Sequence, residues 1–551
     1  MTSDSTELLL DIKGLKIEGH SGEHWTPIVK GVDLHLNRGE VLGLIGESGA
    51  GKSTIGIAAM GFVKAGCKIT AGSINFDGIE LTTATETVKR KLRGARIAYV
   101  AQSAAASFNP AYKLIDQFSE TVVVHGHGTR EQAYADAKAL YAKIRMPDPD
   151  QIGFRYPHQV SGGQLQRAMT AMALSCRPDL IIFDEPTTAL DVTTQIEVLS
   201  TIRDIVAQFN SAAIYISHDL AVVAQMADRI KVLRYGETVE DADTRTMLSN
   251  PQNDYTKSLW AVRSFRKKVV ASAVEETALI RVENVTASYS GVPKPVLKNV
   301  TFEVHRGHTV AVVGESGSGK STAARVIAGL LQPSQGQVFI DGIAVPADYR
   351  RRTKDQLRQT QMIYQMPDTA INPRHRIRDI IGRPLSFYLG MKGVAKEHRL
   401  RELMTMIEMD PDQFLNRYPG ELSGGQKQRI CIARALAAEP SFIVCDEITS
   451  ALDQLVAESI LILLDKLQRE LNLAYMFITH DIATVRAVAD EVIVMLNGEI
   501  VEQGSKEQIF SPPYHKYTEL LLSSVPEMDP DWMDRIIAER MLDGTMKAAD
   551  N

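Results

Sequence analysis

The stretch Gly46-Glu-Ser-Gly-Ala-Gly-Lys-Ser-Thr54 recurs almost unchanged as Gly314-Glu-Ser-Gly-Ser-Gly-Lys-Ser-Thr322. Both copies fit the P-loop pattern Gly-x-x-x-x-Gly-Lys-Ser/Thr, in which glycines let successive backbone N–H groups face phosphate oxygens. The lysine of this pattern reaches the β- and γ-phosphates, and the next hydroxyl binds magnesium. Two copies in one chain therefore predict two sites for a nucleoside triphosphate.

Each copy also has the structural context that a P-loop requires. The short apolar runs Val41–Ile45 and Thr309–Val313 precede the glycines and predict buried strands, and Thr54–Met60 and Thr322–Gly329 predict the helices that follow. The predicted ATP-binding residues of these loops are Gly46, Glu47, Ser48, Gly49, Ala50, Gly51, Lys52, Ser53 and Thr54, and Gly314, Glu315, Ser316, Gly317, Ser318, Gly319, Lys320, Ser321 and Thr322.

The repetition extends well beyond the glycine-rich loops. Lys52 recurs 268 residues later, and Ser161, Glu185 and His218 each recur 262 residues later. A period of this length indicates a duplicated domain, because the repeats of solenoid proteins span only about 20–50 residues.

The duplication predicts how the 551 residues are divided. We expect a first domain over residues 1–265, a linker over 266–278, a second domain over 279–522 and a C-terminal extension over 523–551. Within it, Asp529–Asn551 should form an amphipathic helix followed by a polar tail.

Composition is that of a folded protein with several domains. Hydrophobic residues make up 44% and charged residues 23% of the chain, and the net charge of -6 does not favour nucleic acid as a partner. No run of about 18 apolar residues is present, so any membrane role requires a partner. Four cysteines lie far apart without CxxC spacing and are expected to be buried thiols: Cys67, Cys176, Cys431 and Cys445.

Polar residues that could take part in catalysis or bind a metal follow further apolar strands. The runs Leu180–Phe183 and Ser441–Cys445 lead into Asp-Glu pairs, and Ala212–Ile216 and Ala474–Ile478 lead to histidines. Because the carboxyl ends of parallel strands share one edge of a sheet, these side chains should lie near the phosphates. We expect Asp184 and Asp446 to bind magnesium. Glu185 and Glu447 should act as bases toward water. His218 and His480 should stabilise the γ-phosphate.

A second repeated motif, Ser-Gly-Gly-Gln, opens predicted helices over Leu165–Ala173 and Lys427–Ala437. Such a helix start presents backbone donors and a hydroxyl group to an anion. Its predicted ATP-binding residues are Ser161, Gly162, Gly163 and Gln164, and Ser423, Gly424, Gly425 and Gln426.

The order P-loop, glutamine, SGGQ, Asp-Glu and histidine resembles the nucleotide-binding domains of ABC proteins, over nearly the whole chain. The resemblance implies an α/β fold of two P-loop NTPase domains, each with a mostly parallel sheet core, an antiparallel β subdomain and a helical subdomain carrying SGGQ. The two halves would pair head to tail, with ATP between the P-loop of one and the SGGQ segment of the other. The implied magnesium residues are Ser53, Gln102 and Asp184, and Ser321, Gln365 and Asp446.

Two further features of the family have counterparts in the sequence, and only the adenine contact of the first half is left open. Ala189-Leu-Asp191 and Ala451-Leu-Asp453 match its D-loop. Tyr289 fits the aromatic residue that stacks on adenine in the second half, whereas the first half offers His20 or Trp25.

Further segments are similar to the oligopeptide, dipeptide and nickel importers of this family. They are Ser107-Phe-Asn-Pro110, Ala370-Ile-Asn-Pro373, Asn250-Pro…Tyr255-Thr256 and Ser511-Pro…Tyr517-Thr518. The resemblance implies an ATPase on the cytoplasmic face of the bacterial inner membrane, coupled to two transmembrane permeases and served by an extracytoplasmic solute-binding protein. Peptides are the first expectation for the cargo, with opines, sugars and metal chelates left open. The cysteine cluster of many separate-chain members is absent, so no iron–sulfur centre is expected.

Two other classes fit less well. Tandem ABC ATPases that act on ribosomes usually have a long charged linker and a basic surface, and those of DNA repair carry CxxC pairs. The short predicted linker, the net negative charge and the lack of CxxC argue against both. The second class is an exporter, and it fits less well because fused exporters normally carry their own membrane spans.

Overall fold

The computed structural model describes residues 7–21, 24–187, 190–261, 267, 277–291, 294–450 and 452–542. Of these, the residues up to Ala261 and those from Pro526 onward form one compact unit, and the residues between them form a second. Most of the predicted linker lies outside the described residues, as do Ala189 and Ala451 of the predicted D-loops.

The described strands of the first unit form two sheets. They are β1 (Leu8–Ser21), β2 (His24–Asn37), β3 (Val41–Ile45), β4 (Cys67–Phe76), β5 (Ile79–Glu80), β6 (Ile97–Val100), β7 (Leu180–Asp184), β8 (Ala212–Ile216), β9 (Arg229–Arg234) and β10 (Glu237–Asp243). An antiparallel sheet has the order β2-β1-β4-β5. The other has the order β10-β9-β3-β8-β7-β6 and is parallel except for the hairpin of β9 and β10.

Helices cover the parallel sheet and form a separate helical part. They are α1 (Lys52–Ala58), α2 (Glu86–Leu92), α3 (Ala104–Ser107), α4 (Leu114–Val124), α5 (Arg130–Lys143), α6 (Gly162–Leu174), α7 (Val192–Phe209), α8 (Leu220–Met226), α9 (Thr244–Ser249) and α10 (Asp254–Ala261). Short 3₁₀ helices lie at Ile152–Phe154 and Pro157–Gln159. Helices α3 to α6 contact one another and form the helical subdomain that carries SGGQ.

The second unit repeats this architecture. Its strands are β11 (Ile280–Ala287), β12 (Leu297–Val304), β13 (Thr309–Val313), β14 (Gln335–Ile340), β15 (Ile343–Ala344), β16 (Thr360–Ile363), β17 (Phe442–Asp446), β18 (Ala474–Ile478), β19 (Glu491–Leu496) and β20 (Glu499–Ser505). They form an antiparallel sheet, β12-β11-β14-β15, and a mostly parallel sheet, β16-β17-β18-β13-β19-β20.

The helices of the second unit follow the same order. They are α11 (Lys320–Ile327), α12 (Lys354–Gln359), α13 (Pro367–Ala370), α14 (Ile377–Tyr388), α15 (Gly393–Met406), α16 (Pro411–Phe414), α17 (Gly424–Leu436), α18 (Gln454–Leu471), α19 (Ile482–Val488), α20 (Lys506–Ile509) and α21 (Lys516–Ser523). Short 3₁₀ helices lie at Tyr349–Arg351 and Pro419–Glu421. No helix among the described residues is long and apolar enough to cross a membrane.

The core explains why the central strands are continuously apolar. In β8 and β18 every residue is buried, because helices cover both faces of the parallel sheet. In the first unit the residues on one face of this sheet, such as Leu44 and Ile214, join a cluster with the antiparallel sheet and α1. The predicted fold class is confirmed in both halves.

The C-terminal extension belongs to the first compact unit. In its helix α22 (Trp532–Leu542), Trp532 and Met533 are buried, whereas the later residues are partly or fully exposed. Gln225 of α8 fixes the segment before this helix through hydrogen bonds to its backbone. The repeated motifs of the sequence do not predict that the C-terminal extension packs in the first unit.

Candidate nucleotide-binding and hydrolysis sites

The two P-loops adopt a backbone that only glycine tolerates. Gly46 has a φ of 146° and Gly314 a φ of 144°. A Cβ atom at Gly46 would lie 2.1 Å from the carbonyl oxygen of Leu233, and one at Gly314 would lie 2.2 Å from that of Met495. The first glycine of each motif is thus required by close packing of the loop against the neighbouring strand.

The P-loop lysines are buried and lie over their own loops. Lys52 Nζ donates to the carbonyl oxygens of Gly46, at 2.7 Å, and Glu47, at 2.9 Å. Lys320 Nζ makes the same two bonds, at 2.8 and 2.7 Å, to Gly314 and Glu315. An ammonium group buried in this way requires polar partners, and the loop carbonyls provide them.

The hydroxyl after each lysine meets the aspartate at the end of a central strand. Ser53 Oγ donates to Asp184 Oδ1 at 2.9 Å, and Ser321 Oγ donates to Asp446 Oδ1 at 2.9 Å. Burial raises the pKa of Asp446, and the hydrogen bond from Ser321 opposes this rise. The predicted magnesium residues of each half therefore bring oxygen atoms together beside the P-loop.

The two halves differ at this aspartate. Tyr99 of β6 donates its hydroxyl proton to Asp184 Oδ2 at 2.6 Å. Burial and the neighbouring carboxylate raise the pKa of Tyr99, which keeps the hydroxyl protonated. Met362 stands at the corresponding position of the second half, three residues before Gln365, and cannot donate. Sequence analysis missed Tyr99 because a single tyrosine in a short strand carries no signal of its partner.

The predicted base of each half lies between a glutamine and a histidine. Glu185 Oε2 accepts from Gln102 Nε2 at 2.7 Å, and Glu185 Oε1 lies 3.1 Å from His218 Nδ1. The second half repeats this arrangement, with 2.6 Å from Gln365 Nε2 to Glu447 Oε2 and 3.5 Å from His480 Nδ1 to Glu447 Oε1. The structure therefore brings together three residues in each half that lie far apart in the sequence.

Both glutamates occupy a strained backbone conformation. Glu185 has a φ of 51° and Glu447 a φ of 48°, in the left-handed region that side chains other than glycine rarely adopt. Their N–H groups donate to the carbonyl oxygens of Ile216 and Ile478, both at 2.9 Å. Strain of this kind clusters at functional sites and persists because the surrounding structure enforces it.

The glutamate–histidine pairs favour an ionised carboxylate. Burial lowers the pKa of His218, but the hydrogen bond to Glu185 and the negative charges of Glu185 and Asp219 together outweigh burial, and the net shift is upward. The pKa of His480 is raised in the same way by Glu447. Burial raises the pKa of Glu447, whereas the hydrogen bond from His480 and the positive charges of His480 and Lys320 together lower it, and the net shift is downward. A carboxylate held ionised beside an imidazole donor can accept a proton from water.

The SGGQ segments form the first turns of α6 and α17. Ser161 Oγ accepts from Gln164 N at 3.3 Å, and Gln164 Oε1 accepts from Ser161 N at 3.1 Å, which forms a capping box. Ser423 and Gln426 form the same box. A Cβ atom at Gly425 would lie 2.4 Å from Val456 Cγ1, so α17 packs there directly on α18. That each SGGQ segment faces the P-loop of the other half remains a prediction.

The aromatic residues predicted to contact adenine differ between the halves. Tyr289 lies beside α11, where its hydroxyl is 3.2 Å from Thr322 Oγ1 and accepts from Arg325 Nη1 at 3.0 Å. In the first half, His20 of β1 and Trp25 of β2 make an edge-to-face contact with ring centroids 5.1 Å apart, and Trp25 is exposed. These two aromatic residues remain open as alternatives.

Comparisons with known proteins identify related sequences. A sequence model described as ABC transporter matches residues 29–188 and 297–450, and one described as oligopeptide/dipeptide transporter, C-terminal region, matches residues 501–546. The glutathione import ATP-binding protein GsiA of Salmonella choleraesuis (strain SC-B67) is 36% identical, over 95% of this chain and 90% of its own length. The protein of the same name from Pectobacterium atrosepticum is 35% identical over 96% and 91%.

A solved structure, cbiO1 from Clostridium perfringens, part of the ABC transporter complex cbiONQ, is 27% identical and covers 43% of this chain and 91% of its own, with a TM-score of 0.39.

The ABC transporter model matches both halves, and the GsiA relatives share nearly the full length of the chain. The resemblance inferred from the motifs is confirmed, and the alternative of a tandem ATPase acting on ribosomes or DNA is not favoured. The chain binds and hydrolyses ATP and belongs to the ABC transporter family, among the ATP-binding subunits of importers.

Proposed function

We propose that this chain hydrolyses ATP at two sites, each with Mg²⁺, and thereby drives the import of peptides or related small solutes through two membrane permeases. The observation that carries the proposal is the glutamine–glutamate–histidine arrangement beside a buried P-loop lysine, present in both halves. Both halves hold every group that the chemistry requires, so we expect two competent sites.

The residues beside each P-loop fit Mg²⁺. Its preferred ligands are oxygen atoms, and Ser53 Oγ and Asp184 Oδ1 lie 2.9 Å apart in the first half. Gln102 turns its amide nitrogen toward Glu185, so its amide oxygen is the atom that a metal would use. Ser53, Gln102 and Asp184 would hold one ion and Ser321, Gln365 and Asp446 the other. When bound, the ion would neutralise charge on the β- and γ-phosphate oxygens.

The remaining residues would act directly on phosphate and water. Backbone N–H groups of each P-loop would bind the phosphates, and Lys52 or Lys320 would leave the loop carbonyls to pair with the β- and γ-phosphates. Glu185 and Glu447 would orient water and accept its proton, and His218 and His480 would stabilise the charge on the γ-phosphate. The SGGQ segment of the opposite half would complete each site when the halves pair around ATP.

Support for the cargo and partners comes from the relatives and from the C-terminal region. The relatives are named as glutathione importers, and the C-terminal match is to oligopeptide and dipeptide transporters. We therefore place peptides first among the cargoes. The permeases, two in number, and an extracytoplasmic solute-binding protein would complete the transporter, with this chain on the cytoplasmic face of the bacterial inner membrane.

Substitution of the bases tests the two hydrolytic sites. Glu185→Gln and Glu447→Gln should each abolish most ATP hydrolysis, because a positioned base contributes roughly 10²–10⁴ in rate at its own site and the proposed pairing of the halves couples the two sites. Binding of a fluorescent ATP analogue should be unchanged. Glu458→Gln, which alters a glutamate of α18 away from the P-loop, provides the control. Near-normal turnover in either variant would contradict two competent sites.

Co-purification from native membranes tests the transporter assignment. The tagged chain should recover two multi-span permeases from detergent-solubilised membranes, with ATPase activity in the eluate. Recovery of ribosomes or repair proteins in their place would overturn the assignment.

A further inference from the structure

The Tyr-Thr motif near the end of each half has no part in the sites described above, yet its tyrosine reaches the P-loop. The hydroxyl oxygen of Tyr255, in α10, accepts from Glu47 N at 3.3 Å. The hydroxyl oxygen of Tyr517, in α21, accepts from Glu315 N at 2.8 Å. Both side chains are 7% exposed, so these bonds are sheltered from water. The same contact therefore occurs independently in the two units.

The residue that each tyrosine contacts is also bonded to the P-loop lysine. The N–H of Glu47 is bonded by Tyr255, and the carbonyl oxygen of the same residue accepts from Lys52 Nζ at 2.9 Å. In the second half the N–H of Glu315 is bonded by Tyr517, and its carbonyl oxygen accepts from Lys320 Nζ at 2.7 Å. Each tyrosine thus fixes the peptide segment on which the lysine ammonium rests.

The tyrosines are themselves held by the edge of the parallel sheet. Glu240 of β10 accepts from the N–H groups of Gln252, at 2.7 Å, and Asn253, at 3.1 Å, in the turn before α10. Asn253 Oδ1 accepts from Tyr255 N at 2.9 Å, and the guanidinium carbon of Arg234 lies 4.3 Å from the centroid of the tyrosine ring. The position of this side chain is therefore set by several independent contacts.

The second half repeats this arrangement with one residue changed, since Glu502 stands 262 residues after Glu240 and His515 takes the place of Asn253. Glu502 of β20 accepts from the N–H of His515 at 3.4 Å and from the hydroxyl of Thr518. His515 Nδ1 accepts from Tyr517 N at 3.2 Å. The contact of the tyrosine hydroxyl with the P-loop is thus kept in both halves, although His515 replaces Asn253.

The environment of Tyr255 keeps its hydroxyl protonated. Burial raises the pKa of Tyr255, and the nearby carboxylate of Glu47 raises it further. A neutral hydroxyl can accept the N–H bond of Glu47 and also donate to a carboxylate. Phenylalanine would preserve the buried ring and remove both functions.

We propose that Tyr255 and Tyr517 are positioning residues of the two nucleotide sites, which set the P-loop lysines for the phosphates of ATP. The C-terminal helix of each half is then a structural part of its own ATP site. This inference rests on the proposed assignment of the P-loops as those sites.

Each tyrosine should affect only the P-loop that it contacts. Tyr255→Phe is measured in a Lys320→Ala chain, in which the first P-loop dominates binding, and Tyr517→Phe in a Lys52→Ala chain. Each substitution should weaken binding of the fluorescent ATP analogue TNP-ATP about fivefold, the factor expected for one sheltered hydrogen bond. In the otherwise unaltered chain, each should raise the KM for ATP and leave kcat within about twofold, since ATP binding is weakened before the chemical step.

Tyr514→Phe is the matched control, because Tyr514 lies in the same segment and its hydroxyl donates to Phe510 O at 3.3 Å. It should leave the KM for ATP unchanged. Unchanged affinity in both test variants would overturn the proposal, and so would a lower melting temperature without nucleotide accompanied by normal affinity, because packing alone would explain it. If Lys52→Ala and Lys320→Ala fail to weaken binding, the proposed nucleotide sites are themselves wrong.

Discussion

Gln225→Leu should release the C-terminal segment from the first unit. Gln225 is 4% exposed, and its side-chain amide makes hydrogen bonds to the backbone of three residues of that segment. Its Nε2 donates to the carbonyl oxygens of Glu527, at 2.8 Å, and Asp529, at 2.7 Å, and its Oε1 accepts from Met533 N at 3.0 Å. Leucine has nearly the same volume and can make none of these bonds.

The magnitude follows from the three bonds. At about 1 kcal/mol net for each, their loss should lower the free energy of opening of the segment by about 3 kcal/mol. The ion pair of Arg245 with Asp531 contributes less, because its side chains are 69% and 55% exposed and water screens their charges. Loss of the three bonds should therefore raise the population of the open segment about 100-fold.

Hydrogen–deuterium exchange measures this opening directly. Peptides covering residues 526–542 should exchange about 100-fold faster in Gln225→Leu, whereas β7 and β8 should keep their protection. Gln468→Leu is the matched control, since Gln468 is a buried glutamine of the second unit that donates to Thr309 Oγ1 at 3.0 Å. Exchange of residues 526–542 that accelerates less than about threefold in Gln225→Leu would refute the reasoning.

The residues that hold the segment distinguish the first half from the second. At the positions corresponding to Gln225 and Arg245, 262 residues later, stand Ala487 and Glu507. Alanine cannot bond the backbone of the segment, and Glu507 would repel the acidic residues that Arg245 attracts. Docking on the first unit is therefore determined by specific side chains.

Two further predictions concern pH and packing. Because the bond to Glu185 raises the pKa of His218 against the effect of burial, it should contribute stability fully below about pH 6.5 and lose it as the pH rises through the raised pKa. The difference in melting temperature between the unaltered chain and His218→Gln should therefore shrink between about pH 6 and pH 9, and a difference that grows would contradict this. Gly425→Ala should lower the free energy of unfolding in urea by about 1–3 kcal/mol, because the added methyl group would lie 2.4 Å from Val456 Cγ1. Gly424→Ala, with its nearest contact at 3.7 Å, should leave that free energy nearly unchanged, and an equal loss in both variants would show that packing against Val456 is not the cause.

Local patterns in the sequence predict the central elements well. The apolar run, the glycines and the lysine at residues 41–52 lie close together, and the structure forms them into β3, the loop and α1 as expected. The helix predicted over Lys427–Ala437 lies within Gly424–Leu436 except for its last residue, because Ser423 and Gln426 form a capping box between neighbours in the chain. Signals of this kind depend on residues within one or two turns of each other.

Sequence by itself therefore determined the duplication, the fold class, the family and the residues proposed for both ATP sites. Only the tertiary structure decided that Tyr99 bonds Asp184, 85 residues away, that Tyr255 bonds Glu47, 208 residues away, and that Gln225 holds a segment some 300 residues away. These contacts depend on strand register and on where helices dock against the sheet. A single tyrosine or glutamine has the same sequence neighbours whichever distant group it meets, so its partner is fixed only when the core has folded.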